Sequence, residues 1–225
     1  MEFPEDSVSL ASDVMDKIRP DLTKKFVTVV KYLMFDPQSA PNTTKKNPPL
    51  GSYKYFESLA ITYCKGQENV RPNKESRTIP DELVSIVLHN YFEIPESRLE
   101  DVKKEHRLSM AVENFIGKIL EHYVSHKLEQ NGWVWASGSV IKSVDFIKEP
   151  DLTIKEWRLL QLKNRSNSEN SSSSKVRQGT TIEKWFRSHS TKNETNWASF
   201  PDESSKGGLS EEDFRIYVLR SLKRE

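Results

Sequence analysis

The run Trp157–Arg177, WRLLQLKNRSNSENSSSSKVR, changes character half-way and limits what the chain can fold into. Its first half reads as a buried strand and its second as a polar, basic loop. Side chains alternate along a strand with a period of two, so Gln161 and Lys163 share one face while Leu160 and Leu162 point to the other, into a core. A lysine at the end of an apolar strand needs a partner. The upstream run GSVIKSVDFIK offers Asp145 among apolar neighbours. Pairing Asp145–Lys148 antiparallel with Arg158–Gln161 sets Asp145 opposite Gln161. A carboxylate, an amide oxygen and an ammonium then converge at one end of a sheet, a set that can hold a divalent metal and activate a water against a phosphodiester. Asp151 is the rival aspartate, but Pro150-Asp151 reads equally well as a turn between strands. Asp145 is preferred because it keeps register with Gln161.

Composition narrows the class. A chain of 225 residues suffices for one large domain or a domain with a helical extension. A mean hydropathy of −0.69 with 30% charged residues describes a polar surface, and five tryptophans argue against wholesale disorder. No apolar run approaches the length of a membrane span. The acidic start MEFPEDSVSL lacks the regions of a signal peptide. One cysteine, Cys64, excludes an internal disulfide and a cysteine-based zinc site. These features point to the cytoplasm and to no membrane partner. Net charge is +1, yet seven bases face two acids between Arg158 and Arg187. One basic stripe on a near-neutral protein suits phosphate binding at a cleft.

The chain shows no internal repeat. Helices are expected at Ser7–Arg19, closed by Pro20, at Leu22–Phe35 and at Tyr53–Cys64. Another begins at Pro80 with the stripe Leu83, Ile86, Val87 and Tyr91. The longest helical pattern, Glu100 to Gln130, repeats Leu108, Val112, Phe115, Ile116, Ile119, Leu120, Tyr123, Val124 and Leu128 and stops at Asn131-Gly132. Strand-like runs follow at Trp133–Phe146, broken at Gly138, and at Trp157–Lys163. A short helical segment is expected near Thr181–Arg187, then a loop, then a last helix capped by Ser210. The fold class is α/β, a small mixed sheet flanked by helices. Residues 1–100 form a helical N-terminal region and residues 101–225 the core.

Further candidates surround the strand. Glu113, Gly117 and Glu121 share a helical stripe, and Glu113 is either an additional metal or water ligand or a solvated surface glutamate. Gly117 would let a strand or a nucleic-acid backbone approach. Asn164, Arg165, Asn167, Ser171, Ser172, Ser173, Lys175 and Arg177 form a loop able to contact base edges, against the plainer reading of a polar linker. Lys184 and Arg187 either meet phosphate or solvate a helix face. His122 and His126 stand at the spacing of a zinc pair, but no third ligand follows at a telling distance and a surface role is favoured.

The segments VIKSVDFIK, LLQLKNRSNSENSSSSKVRQGTTIEKWFR and TNW, with the helix AVENFIGKILEHYV, resemble type II restriction endonucleases of the PD-(D/E)xK superfamily. They look most like the SinI-type group, which reads the palindrome GGWCC. The resemblance implies that Asp145 matches the motif aspartate and Lys163 the lysine. Gln161 takes the position normally held by Glu or Asp, and Glu113 is the substitute carboxylate. It also implies Mg²⁺-dependent cleavage of double-stranded DNA by a homodimer, with a partner methyltransferase protecting the host. Gln161 keeps a second reading open: a non-catalytic DNA-binding or regulatory protein that uses residues 158–187 alone.

Overall fold

Prolines and polar breaks cut the N-terminal half into three packed helices. In this computed structural model, residues 2–41, 48–68, 81–166 and 179–223 are described. Helix α1 (Ser7–Ile18) ends at a short 3-10 turn over Pro20–Leu22, because proline cannot extend the helical hydrogen-bond ladder. Helix α2 (Thr23–Phe35) follows. Helix α3 (Tyr53–Gln67) starts at Ser52, whose hydroxyl accepts the Tyr55 N–H. Met15, Phe26, Val30, Leu33, Phe56 and Tyr63 bury their apolar faces in one core together with Ile147 and Leu159 of the sheet.

Helix α4 (Glu82–Asn90) is capped by Asp81, and α5 (Glu96–Leu128) runs for 33 residues. Gly132, in the left-handed conformation at φ 81°, turns the chain into the sheet. Four strands follow in spatial order β1 (Trp133–Trp135), β2 (Phe146–Lys148), β3 (Arg158–Arg165) and β4 (Ile182–Ser188). The first two pairings are antiparallel and β3–β4 is parallel, so the sheet is open and mixed, as expected for a restriction-endonuclease-like α/β fold. Helices α6 (Glu203–Lys206) and α7 (Glu211–Leu222) close the chain, and the Ser210 hydroxyl accepts the Asp213 N–H as expected.

Side-chain alternation splits β3 between two cores. Leu159 joins the α1–α3 side, whereas Leu160 and Leu162 join Phe146, Trp133, Trp135 and Trp185 against α5 and α7.

Three expectations need correction. The run Trp133–Phe146 breaks at Gly138 as expected, but only Trp133–Trp135 and Phe146 of it are strand. Between them the backbone turns at Gly138, where a Cβ would stand 2.3 Å from the Thr62 carbonyl oxygen; only glycine lets α3 approach this closely. Residues 182–188 form a strand, not a helix. Ile182, Trp185 and Phe186 happen to stand at helical spacing, but these β-branched and aromatic residues also suit a pleated surface, and Trp185 pairs beside Leu162. Finally, the apolar stripe of α5 is buried only from Phe115 inward; Leu108 and Val112 are exposed, as is the α4 stripe Leu83, Ile86, Val87 and Tyr91.

Candidate active site

Asp145 sits just before β2. Its N–H donates to the Leu160 carbonyl at 2.9 Å and its carbonyl accepts the Ala136 N–H at 2.8 Å, so it extends the ladder by one residue. Phe146 pairs with Leu160, which sets Asp145 opposite Gln161 as the alternation argument requires. The carboxylate then takes the next donor on β3: Oδ2 accepts the Leu162 N–H at 2.7 Å. An acid group has thus replaced a strand carbonyl at the frayed end of the sheet.

A second carboxylate lies nearby on α5. Glu121 Oε2 accepts the indole N–H of Trp135 at 3.3 Å, which ties the helix to β1. Asp145 and Glu121 each keep some solvent contact, yet protein surrounds both closely. Burial pushes the Glu121 carboxyl up to about 8, and the Asp145 charge adds to the rise. Burial also pushes Asp145 up, to about 6, against the Leu162 N–H and the Lys163 ammonium, which favour its ionised form. Lys163 lowers Glu121 as well, so one cation addresses both acids.

Glu121 and Lys163 line a cleft of about 400 Å³ between α5 and the end of β3, together with Glu113, Gly117, Lys118 and Arg165; Asp145 lies beside them, outside the lining itself. Two acids that repel each other, one lining the cleft and one beside it, fit a hard divalent ion. Mg²⁺ commonly binds through one or two carboxylates and completes its shell with waters and substrate phosphate. Among the described residues no group of three or more His, Cys, Asp or Glu side chains gathers, so ligands beyond the pair would be neutral oxygens.

The remaining sequence candidates divide by location. Glu113 is exposed at the cleft rim, 3.9 Å from Arg165, about two helical turns from Glu121. Arg165 also donates to the Ser190 carbonyl at 3.1 Å. Gln161 is buried within the sheet and is absent from the cleft lining. Asn164 Oδ1 accepts from Arg187 Nε at 2.9 Å, and Arg187 Nη1 reaches Glu211 at 2.7 Å and lies over the Phe214 ring. Arg187 is therefore held inside the protein, whereas Lys184 is exposed on β4. Asp151 lies beyond the far end of β2, where Oδ1 accepts the Thr153 and Ile154 N–H groups, each at 2.7 Å, in a turn. Asn167, Ser171, Ser172, Ser173, Lys175 and Arg177 lie outside the described residues. His122 and His126 meet at the Tyr217 hydroxyl.

Sequence reasoning placed Glu121 in the stripe but chose Glu113. The signal for Glu121 is its position directly after the buried pair Ile119-Leu120, which carries it toward the sheet and the Trp135 indole.

Comparison with known proteins identifies the family. The family model described as SinI restriction endonuclease matches residues 7–224. The chain is 46% identical over 222 residues to the type II restriction enzyme Eco47I of Escherichia coli, covering 98% of this chain and 96% of that one. It is 46% identical over 224 residues to the type II restriction enzyme SinI of Salmonella infantis, covering 99% and 96%. Matches of this extent exclude the non-catalytic reading: the chain belongs to the SinI restriction endonuclease family, and with it to the type II site-specific deoxyribonucleases.

Proposed function

We propose that this chain is a Mg²⁺-dependent endonuclease that cuts both strands of a short palindromic duplex, GGWCC-like by resemblance to its group. It acts as a cytoplasmic homodimer that restricts foreign DNA, beside a methyltransferase that protects the host. The observation that carries the reading is that Glu121 and Lys163 line one cleft and both interact electrostatically with Asp145.

Asp145 and Glu121 would hold the ion, in place of the Asp145–Gln161–Glu113 set expected from sequence. Bound there, Mg²⁺ supplies a water of lowered pKa and offsets charge on the phosphate. The Leu162 N–H fixes the Asp145 carboxylate, and the Trp135 N–H fixes Glu121. Lys163 orients the attacking water or stabilises the charge that builds on the phosphoryl oxygens. Gln161, buried opposite Asp145, adds a neutral neighbour and no second charge. At the rim, Arg165 reads a guanine edge and Lys184 meets phosphate. Arg187 positions Asn164 through its bond to Oδ1. Asn167, Ser171, Ser172, Ser173, Lys175 and Arg177 supply further DNA contacts.

The test is a digest of phage DNA with purified protein and Mg²⁺, with fragment ends sequenced. Discrete fragments sharing one terminal sequence are expected. Asp145→Ala and Lys163→Ala should abolish cutting while Ca²⁺-supported binding of the cognate duplex persists. An unspecific smear, or an Asp145→Ala protein that cuts normally, would refute the assignment.

A further inference from the structure

Helix α4 and the outer half of α5 fold back on each other as an arm beyond the cores. No residue of α4 is buried, and the buried positions of α5 begin at Phe115. The two helices touch through polar contacts such as Lys103 Nζ to Ser85 Oγ at 3.0 Å. Leu88, Ile94, Leu99 and Val102 are half-buried, but most of the large apolar residues are exposed. Nine large apolar side chains of the arm, among them Leu83, Ile86, Val87, Tyr91, Phe92 and Leu108, are 43–75% exposed. At about 100 Å² for each large apolar side chain near half exposure, the nine leave on the order of 900 Å² in water, summed over both helices. That exceeds the patch of about 300–600 Å² typical of a monomer and matches the roughly 800 Å² that each partner brings to a standard interface.

We infer that this arm is the seam on which two copies of this chain pair. Charge selects among occupants. Residues 81–112 hold seven acids against four bases, and all four bases lie at Arg98–Arg107. A net negative arm repels DNA phosphate and anionic lipid headgroups. A second copy fits, because a two-fold contact would set the Arg98–Arg107 stretch of one chain, four bases against three acids, opposite the four acids and no Lys or Arg of Asp81–Glu96 in the other, and the reverse. The arm is also continuous with the cleft, since Glu113, Gly117 and Glu121 lie farther along the same helix. One step rests on the nuclease reading: a palindromic duplex cut on both strands needs two clefts, and each chain carries one.

The test measures mass without DNA or metal, by light scattering on a sizing column. The full chain should run at twice its 26.1 kDa. The double variant Ile86→Glu/Val87→Glu should run as a single chain with an unchanged circular dichroism spectrum, since both positions are about half exposed. On supercoiled plasmid with Mg²⁺ it should accumulate nicked circles where the unaltered protein yields linear DNA. If the double variant does not fold, Leu108→Glu on the other helix repeats the test. An unaltered chain that is monomeric overturns the inference, as does an arm variant that stays dimeric, including one that stays dimeric and loses DNA binding. A monomeric variant from an unaltered dimer that cuts nothing would leave the pairing standing and refute the nuclease reading alone.

Discussion

Helix α5 carries one apolar stripe through two environments. Leu108, Val112, Phe115 and Ile119 follow one another at spacings of four, three and four residues, as on a single helical face. Phe115 and Ile119 are buried against the sheet, whereas Leu108 and Val112 are about half exposed. Length explains the split. A helix of 33 residues extends about 50 Å, while β3, with eight residues, extends about 26 Å. The helix must overhang the sheet. Periodicity identifies which face is apolar; the reach of the neighbouring layer decides whether that face is core or surface.

The largest difference between the halves should appear in catalysis. Glu121 lies on the inner half at the cleft floor, Glu113 at the rim near the outer half. Glu121→Gln should lower kcat/KM by roughly 100-fold or more, because it removes a metal-binding charge. Glu113→Gln should lower it by less than about tenfold. Steady-state cleavage of a cognate duplex at saturating Mg²⁺ decides. Equal losses would make the two glutamates one ligand set and erase the difference between floor and rim.

Folding stability should show the next largest contrast. Ile119→Ala opens a cavity in a closed core and should cost about 2–5 kcal/mol in urea unfolding. Leu108→Ala should change the stability of dilute protein by no more than about 0.5 kcal/mol. A Leu108 effect that grows with protein concentration would mark the seam between copies. A loss of several kcal/mol in dilute protein would mean that the arm has a core of its own.

The two acids predict a smaller, pH-dependent difference. Folding raises both carboxyl values, so the folded state retains protons that the unfolded chain releases. Their stabilising contribution is complete below the unfolded values near pH 4. It is lost as pH rises through about 6 for Asp145 and about 8 for Glu121. Without metal, the wild type should lose stability relative to Glu121→Gln over that window, and Mg²⁺ should restore most at its upper end. Urea titrations of both proteins, with and without Mg²⁺, test this. A wild type that gains on Glu121→Gln as pH rises would reverse the sign and rule out a buried, repelling acid pair.

The same contrast explains what sequence could and could not convey. The Asp145–Gln161 register was legible because a period of two leaves no choice once the apolar face is assigned. The Ser210 cap and the Gly132 stop were legible because each depends on local backbone chemistry. Strand β4 was not, since Ile182, Trp185 and Phe186 stand at helical spacing, while in the strand Ile182 and Trp185 face opposite cores. The preference for Glu113 over Glu121 failed to anticipate the floor acid because both occupy one stripe, and only the Trp135 indole on another element separates them. Arg187 stayed open in sequence between a phosphate contact and a solvated helix face because its partner, Glu211, lies 24 residues away.

Gly117 stands at the boundary between the two halves and yields the smallest effect. It lies within α5, and a Cβ added there would meet no heavy atom within 4 Å. The fold therefore gives no steric reason for glycine, which costs a helix interior roughly 0.5–1 kcal/mol relative to alanine. Gly117→Ala should raise the urea midpoint by about that amount. The residue also lines the cleft, where a methyl group narrows the approach of a phosphate backbone toward Glu121 and Lys163. The same variant should then bind cognate DNA more weakly and raise KM, while kcat, set by groups deeper in the cleft, changes less. Stability and binding would move in opposite directions, as expected where a helix gives up propensity for access. If Gly117→Ala is more stable and fully active, the cleft admits DNA without help from this glycine. If it is less stable, the helix meets something at this point, and the boundary between its covered and uncovered halves lies farther out.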